Sequence, residues 1–249
     1  MTARALTATR MGFREQLRRP LLLVLLVVVP LWFISRSFAV TEPIPREIVL
    51  PGGESVLTTM KELHGATMAA ITVGFLSGLC GVFVMQSARE ADRRLVVAGF
   101  RPAEPIAARF AVLIAAAFLV VAVSLLVTAR DFTPQAWAPF AAGTVLVGLI
   151  YGPLGAAAGA ALGRLGATYF MFFLPMVDIG VIQNPMFGDG EAGALAALLP
   201  GYGPTQVIID GSFSPGFHAA GELALGVAWA LAAIAAMWLV LRRVLGARG

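Results

Sequence analysis

The chain has 249 residues, 59% of them hydrophobic and only 13% charged, with 27 glycines, 15 prolines and a mean hydropathy of +0.85. That balance excludes a soluble domain built around one large core. The single cysteine, Cys80, excludes an intrachain disulfide and a multi-cysteine metal site. The formal charge of +4 and pI near 10 read as topology and contact with anionic lipid. They do not point to nucleic acid, because no basic cluster is interleaved with aromatic residues.

At the N-terminus, Ala3–Arg19 is predicted to be an interfacial helix. Leu6, Phe13 and Leu17 fall on one face, and Arg10, Arg14 and Arg18 form a basic stripe beside it. The competing reading is a solvated basic tail that only sets orientation. Pro20 ends this segment (residues 1–19) before a single transmembrane domain over 20–249. An apolar run of about 18 residues crosses the ~30 Å hydrocarbon layer. Six such runs are present, at about 20–40, 64–86, 109–129, 137–162, 166–183 and 217–241. The predicted fold class is therefore an all-α polytopic membrane protein with six transmembrane helices. The first run is read as a retained span and not a secretory signal, with a kink at Pro30.

Basic residues set the expected orientation. With the N-terminus in the cytoplasm, the inner segments carry Arg4, Arg10, Arg14, Arg18 and Arg19, then Arg89, Arg93, Arg94, Arg101 and Arg109. Arg164, Arg242, Arg243 and Arg248 fall on the same side, making fourteen of the 18 lysines and arginines. Arg36, Lys61, Arg46 and Arg130 remain outside. Both termini are expected to be cytoplasmic.

The loop Thr41–Leu63, with Pro43, Pro45, Pro51 and Gly52-Gly53, is expected to be a short irregular excursion. A turn around Asp131–Pro134 joins spans three and four, and Gly163-Arg164-Leu165-Gly166 folds spans four and five into an antiparallel hairpin. Span four holds the small-xxx-small pairs Gly148/Gly152, Gly155/Gly159 and Gly159/Gly163, and span two holds Gly74, Gly78 and Gly81. These suit either packing within the chain or a subunit interface. Between spans five and six, Asn184–Ser214 carries two apolar patches too short to span, Ala192–Leu199 and Val207–Ile209. They form either short re-entrant helices covered by protein or a plain outer loop.

The most polar stretch between spans is Ala88–Arg109, AREADRRLVVAGFRPAEPIAAR, with five arginines and three acids. Ala88, Ala91, Leu95 and Ala98 share one helical face, and Glu90 precedes Arg94 by the four residues that favour a surface pair. Gly99 suits a C-terminal cap, and Pro102 blocks continuation. Such a connector is expected to meet a soluble partner.

The chain contains no H-E-x-x-H, no paired-carboxylate spacing and no G-x-S-x-G. It has no phosphate-binding G-x-x-x-x-G-K-[ST] motif either, and its one lysine, Lys61, is expected outside. It is thus not read as an enzyme and holds no cofactor or metal. If ATP drives it, ATP and Mg²⁺ sit on another subunit.

An N-terminal interfacial helix, six spans and a charged connector after span two together resemble the permease subunit of type-2 ATP-binding-cassette exporters. In that family an elbow helix precedes the first span. A coupling helix between spans two and three docks on a separate ATPase, and short re-entrant helices lie between spans five and six. The order Glu90, Arg93, Arg94, Leu95, Gly99, Pro102, Glu104, Ala108 matches the family's connector, although its glutamate-rich start is less complete here. The resemblance implies a permease in the bacterial cytoplasmic membrane that pairs with a second permease chain, identical or related, and with two ATP-binding-cassette ATPase subunits. Substrate would pass between the permeases. Asp178, near the end of span five, is a candidate for the path or for pairing within the protein. The other readings are a membrane-embedded anchor for a non-ATPase partner and a secondary transporter, which would favour internal repeats and buried ionisable groups.

Overall fold

The computed structural model describes residues 7, 9–14, 18, 20–97, 99–101, 103–187 and 196–246, without the side chains of 21, 87–93, 96–97 and 245–246. Among these residues, six helices are long and apolar enough to cross a membrane, so the chain is a multi-pass helical membrane protein. The elements are α1 (Pro20–Val40), β1 (Pro45–Val49), β2 (Ser55–Thr59), α2 (Met60–Val97), α3 (Ala103–Asp131), α4 (Trp137–Ala161), α5 (Gly163–Val177), α6 (Tyr202–Phe213) and α7 (Ala220–Gly246). A π-helical turn, Asp178–Ile182, extends α5. Helix α1 runs through Pro30 unbroken.

Helices α2 and α4 form the centre. Their most apolar windows are 78% and 67% buried inside the protein, against 22–39% for the other four. Glycine is what brings them together. At Gly155 and Gly81 a Cβ would meet the backbone of the opposite helix, and at Gly159 it would lie 3.0 Å from the Val82 Cα. The small-residue stripes of spans two and four are thus used inside the chain, where van der Waals contact between backbones replaces a hydrophobic driving force.

The loop after α1 is not irregular. It is an antiparallel β-hairpin, with Val49 opposite Ser55 and Pro45 opposite Thr59. Leu50 N donates to the Glu54 carbonyl (2.8 Å) and Gly53 N to the Leu50 carbonyl (2.8 Å), with Gly53 at φ +80°. The proline-rich composition misleads here because a two-stranded sheet has only edge strands, and an edge strand tolerates proline at its first residue. At the hairpin end of the bundle, Phe132 lies 6.3 Å from Phe38, 6.4 Å from Phe140 and 5.8 Å from Phe213 between ring centroids. That cluster ties α1, the α3–α4 turn, α4 and α6 together.

Segment 184–214 contains more than a surface loop. Apart from Tyr202 and Gln206, every residue of α6 is buried. The helix lies along α4: a Cβ at Gly143 would touch Ile208 and the Pro204 carbonyl, and Ala136 N donates to the Gly211 carbonyl at 2.8 Å. Its other end, at Gly201, meets the same Asp178 carboxylate that the Tyr151 hydroxyl of α4 meets. Helix α6 therefore runs from the Asp178 carboxylate at Gly201 to the hairpin end, where Phe213 joins the Phe132 cluster. Helix α6 is covered by protein, whereas Phe187 and Leu198 on either side of the undescribed stretch before it are exposed.

Candidate functional site

Two places carry the polar chemistry, one at the connector end and one buried between α4, α5 and α6. At the connector end, α2 does not stop where its apolar run stops. It continues as one 38-residue helix to Val97, because no glycine or proline occurs between Val82 and Val97. The connector helix is thus a direct extension of span two, about 16 Å long beyond Gln86. Phe100 N donates to the Leu95 carbonyl at 3.0 Å, and Gly99 has φ +89°. This is the six-to-one closure of a Schellman cap, with glycine at the left-handed position. Helix α3 is then capped from its own first turn. The Arg101 N–H donates to Glu104 Oε2 (3.0 Å), and the Glu104 N–H donates to the Arg101 carbonyl (2.9 Å).

Of the residues expected to contact a partner, Arg94 and Gly99 are exposed, and Leu95 and Glu104 are half-buried. Glu90 and Arg93 lie on the helical extension, with side chains outside the described residues. Pro102 also lies outside them. In the N-terminal segment residues 9–14 are helical, Leu17 lies outside the described residues, and Arg10, Phe13, Arg14 and Arg18 are exposed. Gly12 is buried against α3, where a Cβ would sit 3.1 Å from Val112 and 3.6 Å from the Arg109 guanidinium. Phe13 borders a small apolar cavity of about 110 Å³ with Leu22, Leu26, Cys80 and Val112. The segment therefore rests on α1 and α3 and is more than a free tail.

Asp178 is the centre of the second place. Its side chain is 2% exposed, and three donors converge on it. The Tyr151 hydroxyl donates to Oδ2 at 2.6 Å, the Gly201 N–H to Oδ2 at 2.8 Å, and Gln183 Nε2 to Oδ1 at 3.3 Å. Gln183 also donates to the Ala196 carbonyl at 2.9 Å. The Gly201 N–H is the first orphan donor of α6, so the carboxylate also sits at the positive end of that helix. Asp178 thereby joins α5, α4 and α6 and is engaged within the chain.

The same arrangement recurs one helix later. Asp210, fully buried on α6, accepts from the His218 N–H (2.8 Å) and the Ala219 N–H (3.2 Å) at the start of α7. Ser214 Oγ and Asp210 Oδ1 both approach His218 Nδ1, at 3.2 and 3.6 Å. With both on one ring nitrogen, the imidazole does not relay a proton from serine to carboxylate across the ring, as a triad requires. This corner is a helix cap. No sequence motif announces either acid's partners, since both lie on other elements.

On the opposite face of α5 lies an apolar groove of about 400 Å³ between α1, α2 and α5. Phe33, Met68, Phe75, Phe172, Met176 and Gly180 are among its walls, and His64 stands at its hairpin end, with Nδ1 2.6 Å from the Thr41 hydroxyl. Compared with known proteins, the chain matches no family model, no curated protein and no solved structure.

Proposed function

We propose that this chain is the membrane-spanning subunit of an ATP-driven exporter, pairing with a second permease chain and two separate ATPase subunits. The observation that carries the reading is the capped connector. A rigid helical extension of the most buried span projects beyond the apolar layer, closes at Gly99 and re-enters directly at Arg101. Force applied to its exposed face, where Arg94 and Arg101 stand, is transmitted to α2. Because α2 lies against α4 backbone to backbone, the centre of the bundle moves with it.

Three further features support the reading. The N-terminal segment rests on α1 and α3 as an elbow helix does. Helix α6, packed inside the bundle between spans five and six with its Gly201 end on the Asp178 carboxylate, suits the family's short re-entrant helices. The groove between α1, α2 and α5 offers an apolar wall for a path shared with a second chain. In this reading the connector faces the cytoplasm with both termini, and the hairpin and the α6–α7 corner face outward. ATP and Mg²⁺ are held by the partner ATPase, and its closure drives the connectors of two permeases together.

The test is purification of the tagged chain from its native membrane in mild detergent. A P-loop ATPase in stoichiometric amount, with ATP hydrolysis in the purified complex, is the expected result. A complex with a protein lacking any nucleotide site would replace the exporter reading with that of a membrane anchor.

A further inference from the structure

The stretch Asp178–Asn184 has two faces with different jobs. One face belongs to the polar cluster: Asp178 and Gln183 are bonded to Tyr151, Gly201 and Ala196. The other face belongs to the groove, where Gly180, Val181 and Asn184 form part of the wall. The stretch is also the weakest part of its helix. Pro175 supplies no backbone N–H to the helical ladder. The next turn is π-helical, a wider geometry common where helices give way at functional places. Gly180 adds backbone freedom and packs closely on α2, where a Cβ would lie 3.2 Å from Ile71 Cδ1.

We propose that Asp178–Asn184 is a hinged wall of the groove, latched shut against α2 by the bonds that Tyr151, Gly201 and Gln183 make to the Asp178 carboxylate. While the latch holds, Gly180 stays on Ile71 and the groove keeps its width. When it releases, the wall turns about Pro175 and the π-turn, away from α2. The first turn of α6 loosens at the same moment, because its N–H at Gly201 loses the carboxylate. The groove wall and the buried end of α6 therefore move as one unit. This holds whatever crosses the membrane, so it stands or falls apart from the exporter reading.

The experiment uses the full chain in lipid nanodiscs. Tyr151→Phe keeps the ring and removes the shortest of the three bonds, and Gln183→Leu removes the longest. Hydrogen exchange is expected to accelerate at least tenfold in Tyr151→Phe for amides of 178–184 and 201–205. It should accelerate less in Gln183→Leu and stay unchanged over 66–82 of α2. A second readout places cysteines at Ile71 and Gly180 in a Cys80→Ser background. Disulfide formation under mild oxidation should slow at least fivefold when Tyr151→Phe is added. Unchanged exchange in both variants, or cross-linking unchanged by Tyr151→Phe, would overturn the proposal. So would acceleration spread evenly over α2 and α4, because the bonds would then be general packing and not a latch.

Discussion

Gly152 and Gly155 lie one turn apart on α4 and belong to equivalent-looking small-residue pairs, yet alanine should affect them in opposite directions. At Gly155 an added Cβ would stand 2.7 Å from the Gly78 carbonyl carbon and 2.8 Å from the Gly78 Cα. Comfortable carbon–carbon contact needs about 3.5–4.0 Å, and both obstacles are backbone, so α2 and α4 must separate by on the order of 1 Å. Overpacking of this kind costs about 3 kcal/mol at the upper end of its usual range. The helix-propensity gain of alanine over glycine returns only about 1 kcal/mol, leaving a net loss of about 2 kcal/mol. At Gly152 the nearest atom is the Ser77 carbonyl oxygen at 3.8 Å, an ordinary contact. Gly152→Ala should therefore gain up to about 1 kcal/mol from the propensity term alone. The two single variants should differ by about 3 kcal/mol in reversible unfolding in mixed micelles, followed by tryptophan fluorescence. Equal stability, or a greater loss at Gly152, would refute the backbone-to-backbone contact at the centre of the bundle.

The remaining predictions concern the two ends of the molecule. Asp210→Ala leaves the first N–H groups of α7 without their acceptor and should cost about 3 kcal/mol in the same unfolding assay. Asp210→Asn, which keeps one acceptor oxygen, should cost less. Gly99→Val forces a β-branched residue into the left-handed cap and should cost about 1–2 kcal/mol. Its expected sign is at least tenfold faster hydrogen exchange at Phe100 N, with Gly99→Asn close to wild type. A cysteine at exposed Glu54, in a Cys80→Ser background, should react with an impermeant maleimide added outside intact cells. Reaction only after the cytoplasm is opened would reverse the assigned orientation.

The spans were legible because crossing a membrane needs an unbroken apolar run, and each run matches a helix within six residues at both ends except at the end of α2, which continues eleven residues past Gln86 to Val97. The cap at Gly99 was legible for a similar reason, because glycine and proline act on their immediate neighbours, whereas α3 begins at Ala103, six residues before the apolar run that marks its span. What the sequence concealed depends on distance along the chain. The partners of Asp178 lie 27 and 23 residues away at Tyr151 and Gly201, and no local pattern encodes such a meeting. Helix α6 was legible only as one of two alternatives, because the apolar patch Val207–Ile209 is far shorter than a span, although the packed helix is nearly all buried. The difference between Gly152 and Gly155 was hidden too, since spacing marks both as small while only the helix crossing decides which one touches backbone. The hairpin at Pro45–Thr59 was masked by prolines that argue against central strands but not against edges.

The most direct test of the exporter reading is ATP hydrolysis by the reconstituted complex of this chain with its ATPase, carrying Arg93→Glu and Arg94→Glu together. If the connector transmits the power stroke, the variant should insert into the membrane normally, yet lose the ATPase on purification or lose at least tenfold of its transport-coupled hydrolysis. The corresponding lysine variants keep the charge but not the planar fork that pairs with two oxygens at once, and should fall between. Copurification and coupled hydrolysis equal to wild type in the glutamate variant would contradict the assignment of this connector as the site where an ATPase docks.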